Sequence, residues 1–166
     1  FERAVGGFYK TILQPKRWRV HKGGALDWPI DWWTEGAREI LPGMQTDIVL
    51  DDALVGRRIV IDTKFTSIVT AGWRREATLR SGYLYQIYAY IRSQAGRGDP
   101  MADKAEGLLL HPAIGETIDE AISVHGHLIR FATVDLAADS GAIRRQLLKL
   151  SLQLKNETSA DGPSHA

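Results

Sequence analysis

Leu41-Pro42-Gly43-Met44-Gln45-Thr46-Asp47-Ile48-Val49-Leu50-Asp51-Asp52-Ala53-Leu54-Val55-Gly56-Arg57-Arg58-Ile59-Val60-Ile61-Asp62-Thr63-Lys64-Phe65 is the stretch whose reading decides the fold. Met44 to Leu50 alternates around β-branched residues, and Arg58 to Phe65 is rich in Ile and Val, so two strands are expected. Asp51, Asp52 and Gly56 supply turn chemistry between them. On this reading Asp47 lies inside the first strand. Asp62 and Lys64 lie near the end of the second, at i and i+2, and so share one face of the sheet.

Two carboxylates and an ammonium gathered on the core-side face of a hairpin are costly to desolvate. A hard divalent cation offsets that cost, because carboxylate oxygens are its preferred ligands. The ammonium beside them suits a water or a phosphate oxygen. An acid on one strand and Asp-x-Lys on the next resembles the site pattern of the PD-(D/E)xK nucleases. That resemblance implies an α/β fold with a restriction-endonuclease-like core, a mixed central sheet flanked by helices. Asp-Thr-Lys at a strand end is also a common surface sequence, and short motifs match by chance, so the surrounding chain has to discriminate.

A length of 166 residues suffices for one domain with a real core, expected over residues 1–155, followed by a polar, disordered tail at 156–166. The chain starts at Phe1 rather than Met and reads as part of a longer protein. It has no apolar run of membrane-spanning length and no charged-then-apolar leader. With no Cys there are no disulfides and no thiolate metal sites, which fits a cytoplasmic location. A net charge of +1 does not announce a nucleic-acid binder. The basic residues are nonetheless clustered: Lys16, Arg17, Arg19, His21 and Lys22 early, then Arg74, Arg75 and Arg80 after the Asp-Thr-Lys strand. These clusters suit phosphates as well as solvated loops.

Phe1, Val5, Phe8, Tyr9 and Ile12 make one face of a first helix that Pro15 ends, with Gly6 and Gly7 as points of close packing. Glu2 lies off that stripe and reads either as a solvated residue or as an extra metal or water ligand. Lys16 to Trp33 reads as irregular, with Trp28, Trp32 and Trp33 packed under a loop or offered for base stacking. Arg38 to Leu41 reads as a strand, and Thr66 to Arg80 as a loop leaving the site. Ser81 to Gln94 is a strong helix with Leu84, Ile87, Tyr88 and Ile91 as its apolar stripe. Tyr83, Gln86 and Tyr90 form a second stripe, either a hydrogen-bonded core edge or a face toward the site. Ala95 to Asp103 reads as a Gly-rich turn, and Gly107 to His111, Ala121 to Val124 and Leu128 to Val134 as strands. His125 and His127 are spaced to share a strand face, as surface residues or as a chelating pair. Asp139 or Ser140 caps a last helix carrying Ile143, Leu147, Leu150 and Leu154.

Several segments in this order resemble the nuclease domain of the McrC family: Leu41-Pro42 and Met44, Thr46-Asp47-Ile48, Ile61-Asp62-Thr63-Lys64-Phe65, then Ser81 and Tyr85-Gln86-Ile87-Tyr88-Ala89-Tyr90. Phe1-Glu2 with Phe8-Tyr9, the strand Gly107 to Pro112, and Val134-Asp135-Leu136 also fit, so the resemblance reaches to about Leu154. One departure is Thr46, where the superfamily motif has Pro before the acid. McrC is the endonuclease subunit of modification-dependent restriction systems, a form of antiviral defence. Gln86-x-x-x-Tyr90 after Asp-x-Lys is also the arrangement of RecB-like nucleases.

The resemblance implies a Mg²⁺- (or Mn²⁺-) dependent DNA endonuclease. Asp47, Asp62 and the Thr63 carbonyl would hold the metal, with Glu2 as an additional ligand. Lys64 would orient the attacking water, Gln86 and Tyr90 would position Lys64 or the phosphate, and Arg17, Arg19, Arg74, Arg75 and Arg80 would track DNA. It also implies a McrB-like AAA+ GTPase as partner, since this chain has no Walker motif, and no contact with membranes. The alternatives are a RecB-like exonuclease and a non-cleaving DNA-binding scaffold of the same fold. The lack of Cys sets aside the iron–sulfur members of the RecB-like branch.

Overall fold

A computed structural model describes residues 1–70 and 78–152. The elements in chain order are α1 (Glu2–Leu13), β1 (Trp18–Lys22), β2 (Ala25–Leu26), α2 (Ala37–Ile40), β3 (Met44–Gln45), β4 (Ile48–Asp52) and β5 (Arg57–Thr63), followed by β6 (Val69–Thr70), β7 (Thr78–Leu79), α3 (Ser81–Gln94), α4 (Pro100–Asp103), β8 (Glu106–Pro112), β9 (Asp119–Val124), β10 (His127–Val134) and α5 (Ser140–Leu152). Six strands form the central sheet in the order β1-β4-β5-β8-β10-β9. β1, β4 and β5 run antiparallel, β8 is parallel to β5 and to β10, and β9 closes the far edge antiparallel to β10. The expected α/β architecture, a mixed sheet flanked by helices, is what forms. No helix among the described residues is long and apolar enough to cross a membrane.

Strand alternation distributes the core into two layers. Ile59 and Ile61 of β5 pack with Val5, Tyr9 and Leu13 of α1 and with Leu147 and Leu150 of α5. Val60 of β5 and Leu109 of β8 pack with Ile87 and Ile91 of α3 on the opposite face. Asp62 is in phase with Val60, so the sheet's pleat directs it to the α3 side. The parallel pair β5 and β8 needs a crossover, and α3 lies within it. That helix sits close on the sheet: a Cβ at Gly107 would stand 2.8 Å from Ile87 Cγ1. A Cβ at Gly6 would likewise stand 2.9 Å from Lys22 Cε, whereas Gly7 faces open space.

The expected first strand of the hairpin is divided. Met44–Gln45 pairs with β2, Ile48–Asp52 pairs with β1 and β5, and Thr46-Asp47 bridges the two sheets. There the backbone bonds leave the ladder, with Thr46 N donating to Gly24 O at 2.8 Å and Gly23 N donating to Asp47 O at 3.0 Å. Asp47 therefore stands just before β4, not inside a strand. Asp51 and Asp52 are buried strand residues rather than turn residues. Arg58 holds Asp51 through two bonds of 2.7 and 2.9 Å, and Arg17 meets Asp52 at 2.7 Å. The turn falls later, with Gly56 at φ +65°.

Lys16 to Trp33 is not wholly irregular, because Trp18–Lys22 is an edge strand whose charged side chains suit an exposed edge. Arg38 to Leu41 is not a strand: Arg38 to Ile40 belong to one turn of helix, Ala37–Ile40, which begins after Gly36 at φ +78° and ends at an extended Leu41. Part of the Gly-rich turn is also helical, Pro100–Asp103, with the Asp99 side chain accepting from Met101 N. Trp28 is half-buried and donates to Pro42 O at 2.7 Å, but Trp32 and Trp33 are 76% and 53% exposed. His125 and His127 do not share a face: His125 is in the turn at φ +51°, while His127 starts β10 and is buried against Ala105 O. α3 matches its expected span, α5 forms from Ser140 to Leu152, and Asp139 caps it through Ala142 N at 2.9 Å. Gly72, Arg74, Arg75, Leu154 and the expected tail at 156–166 lie outside the described residues.

Candidate functional site

The site gathers at the end of the β4–β5 hairpin remote from its turn. Ile48 is in register with Ile61, and one further step sets Asp47 beside Asp62. Thr63 fixes Asp47: its backbone N and its hydroxyl both donate to Asp47 Oδ2, at 2.7 and 2.8 Å. Asp62 is 1% exposed. Lys64 Nζ donates to its Oδ1 at 3.0 Å and lies 2.9 Å from its Oδ2. The Oδ2 contact is an ion pair outside hydrogen-bond geometry, and among the described residues that oxygen has no hydrogen bond. Burial raises the pKa of Asp62, the Lys64 bond and charge oppose the rise, and the charges of Asp47 and Glu2 add to it. Glu2, exposed in the first turn of α1, is thus within electrostatic reach of the carboxylate pair.

The other wall comes from β8 and α3. Lys64 N donates to Leu110 O, which ties the end of β5 to β8. Lys64 Nζ lies 5.3 Å from the centre of the Tyr83 ring, and the Arg80 guanidinium lies 6.0 Å from it. Both are cation–π distances. His111, 1% exposed, packs its ring 5.8 Å from that of Tyr83. Its Nδ1 is 2.8 Å from Thr66 O, and among the described residues its Nε2 has no hydrogen bond. A carbonyl can only accept, so Nδ1 carries the proton. Burial lowers the His111 pKa, the Thr66 bond opposes this, and the charges of Lys64 and Arg80 lower it further, so the ring is neutral at pH 7.

The structure brings Asp47, Asp62, Thr63 and Lys64 together, with Glu2 and Arg80 nearby. Gln86 donates to the Tyr90 hydroxyl, and no contact of either with Lys64 is found among the described residues. Tyr90 instead lines a cavity of about 260 Å³ with Thr46, Asp51 and Arg58. Arg17 is engaged by Asp52, and Arg19 is paired in register with Asp51 toward the far end of the hairpin. Lys22, in register with Ile48, stands closer to the site than either. Of the Tyr83-Gln86-Tyr90 stripe, expected to face either the core edge or the site, Tyr83 stands at Lys64. His111 carries no local signal in the sequence, because it lies near the end of an apolar strand.

The donor set fits a hard divalent cation. Among the described residues Asp62 Oδ2 is a buried oxygen with an ion-pair contact but no hydrogen bond, and both bonds to Asp47 land on one oxygen. Burial, with a smaller contribution from the charges of Asp47 and Glu2, disfavours the ionised form of Asp62, and a bound cation would offset both. Among the described residues no three His, Asp or Glu side chains are grouped as a complete metal cage. Mg²⁺ does not need one, since it is commonly held by one or two carboxylates, waters and substrate phosphate. No protein-family model matches the chain, and no curated protein matches it.

Proposed function

We propose that this chain is a metal-dependent DNA endonuclease domain of the PD-(D/E)xK type, from a McrC-like restriction subunit acting in the cytoplasm with a McrB-like AAA+ GTPase. The observation that carries the reading is the juxtaposition of Asp47, held by Thr63, with a buried Asp62 that is ion-paired to Lys64. A structural ion pair does not call for a second carboxylate beside it.

Asp47, Asp62 and the Thr63 carbonyl would hold Mg²⁺ or Mn²⁺, with Glu2 adding negative charge. Bound there, the metal would lower the pKa of a water and neutralise charge on the scissile phosphate. The chain's own residues account for the rest. Thr63 orients Asp47, so its carboxylate need not reorganise during the reaction. Lys64, steered by Asp62 and the Tyr83 ring, presents a point charge to the phosphate oxygens and stabilises developing charge. Arg80, exposed beside Tyr83, suits an adjoining phosphate. His111 is neutral and adds no competing charge.

The chain carries a net charge of +1, so its own affinity for DNA should be weak at physiological salt. The reading is tested on modified circular plasmid with Mg²⁺, the cognate AAA+ protein and GTP. The complete mixture should linearise the plasmid, the chain alone should cut poorly, and Asp47→Ala or Asp62→Ala should abolish cleavage. Degradation of linear DNA only from its ends would move the reading to a RecB-like exonuclease. DNA binding without cleavage in any metal would leave the scaffold.

A further inference from the structure

A second surface is built on the segment that leads into the site. Trp28, Ile30, Trp32, Trp33, Leu41 and Pro42 are among the apolar residues of a groove of about 710 Å³, with Asp27 and Arg38 among its polar ones. The indole of Trp28 donates to Pro42 O at 2.7 Å, which ties the two ends of the segment together. Trp32 and Trp33 leave large aromatic faces in solvent, which monomeric surfaces seldom do over a contiguous patch. Trp is also the side chain most enriched among residues that dominate binding energy at interfaces.

The charge around the groove selects its occupant. Asp27, Asp31, Glu35 and Glu39 stand on this segment with Arg38, and Arg97 reaches Asp27 O at 3.4 Å from beyond α3, so four acids face two bases. Asp31, Glu35 and Glu39 are exposed, each beside a groove-lining residue, and none makes an ion pair among the described residues. A negative rim repels a phosphate backbone, so stacking of nucleobases on these tryptophans is disfavoured, although their faces would suit it. It attracts ammonium and guanidinium groups, which also bind well over indole rings. We propose that this groove docks a protein partner through a segment with an apolar anchor flanked by Lys or Arg. The proposal does not depend on the nuclease reading.

The test uses the full chain and a random dodecapeptide library, counter-selected on the Trp32→Ala/Trp33→Ala variant. Both residues are exposed, so that variant should fold, and an unchanged melting temperature checks this. Peptides retained by the wild type should share an apolar residue flanked by basic ones. The best of them should lose about tenfold or more in affinity in Trp32→Ala. It should lose affinity in Asp31→Asn/Glu35→Gln and with rising salt. Enrichment of acidic or uncharged peptides, no enrichment over the counter-selection, or tighter binding of a thymidine oligonucleotide at the same tryptophans would overturn it. So would concentration-dependent self-association of the wild type that Trp32→Ala abolishes, because the groove would then serve a second copy of the chain.

Discussion

Asp47 and Thr63 are joined twice through one oxygen: the Thr63 amide and hydroxyl both reach Asp47 Oδ2, at 2.7 and 2.8 Å. This bond set aims a carboxylate that lies outside the regular ladder. Thr63→Val keeps the β-branched shape and removes only the hydroxyl. Loss of a hydrogen bond to a charged group should cost roughly 1.5–3 kcal/mol of stability, read by urea unfolding. Mg²⁺ affinity should fall with it, while Thr63→Ser should retain both. Unchanged metal affinity in Thr63→Val would show that the backbone bond alone orients Asp47.

Asp62 makes metal-free stability depend on pH in a defined direction. Burial lifts its pKa above the ordinary 3.8. A carboxyl whose folded pKa exceeds its unfolded value contributes stability below the unfolded value, and loses it as pH rises through the folded one. The melting temperature of wild type minus that of Asp62→Asn, without metal, should therefore fall as pH rises above about 4. Adding Mg²⁺ at neutral pH should raise the wild type and leave Asp62→Asn where it was. A flat difference curve would mean that Lys64 already cancels the burial cost.

Lys64→Ala should slow cleavage by about 10²–10³-fold, the size of one transition-state electrostatic contact. Lys64→Arg should not rescue it. The ammonium sits between the Asp62 carboxylate and the Tyr83 ring, 5.3 Å from its centroid, where a wide planar fork cannot keep both relations. Wild-type turnover in Lys64→Arg would show that only positive charge is required.

Gly107→Ala should be costly well away from the reacting groups. Its Cβ would meet Ile87 Cγ1 at 2.8 Å, and overpacking of this kind costs about 1–3 kcal/mol. Ile87 is one helical turn from Tyr83, so an outward shift of α3 should also lower cleavage. Gly7→Ala, whose Cβ meets nothing within 4 Å, is the control, and it should stabilise α1 by up to about 1 kcal/mol. Equal stability of the two variants would show that α3 repacks freely.

Local periodicity carried much of this protein in plain view. Asp62 and Lys64 share a face because a strand repeats every two residues, and they do form the ion pair. Ile87 and Ile91 mark the buried side of α3 because a helix repeats every 3.6, and Asp139 announces α5 because a carboxylate satisfies free amides there.

What only the tertiary structure decided depends on partners far along the chain. Whether Asp47 lies in a strand or at its edge turns on Gly23 and Gly24, which take the backbone bonds of Thr46-Asp47 away from the ladder. Asp51 and Asp52 read locally as turn residues, yet they are buried strand acids because Arg58 and Arg17 neutralise them across the sheet. The same pairing takes Arg17 out of the set of free phosphate ligands. Tyr83 and His111 meet at Lys64 only because α3 and β8 pack against the end of β5. Side-chain direction follows from the backbone period and is written locally. Desolvation and charge compensation depend on which distant groups arrive, and only the folded chain brings them together.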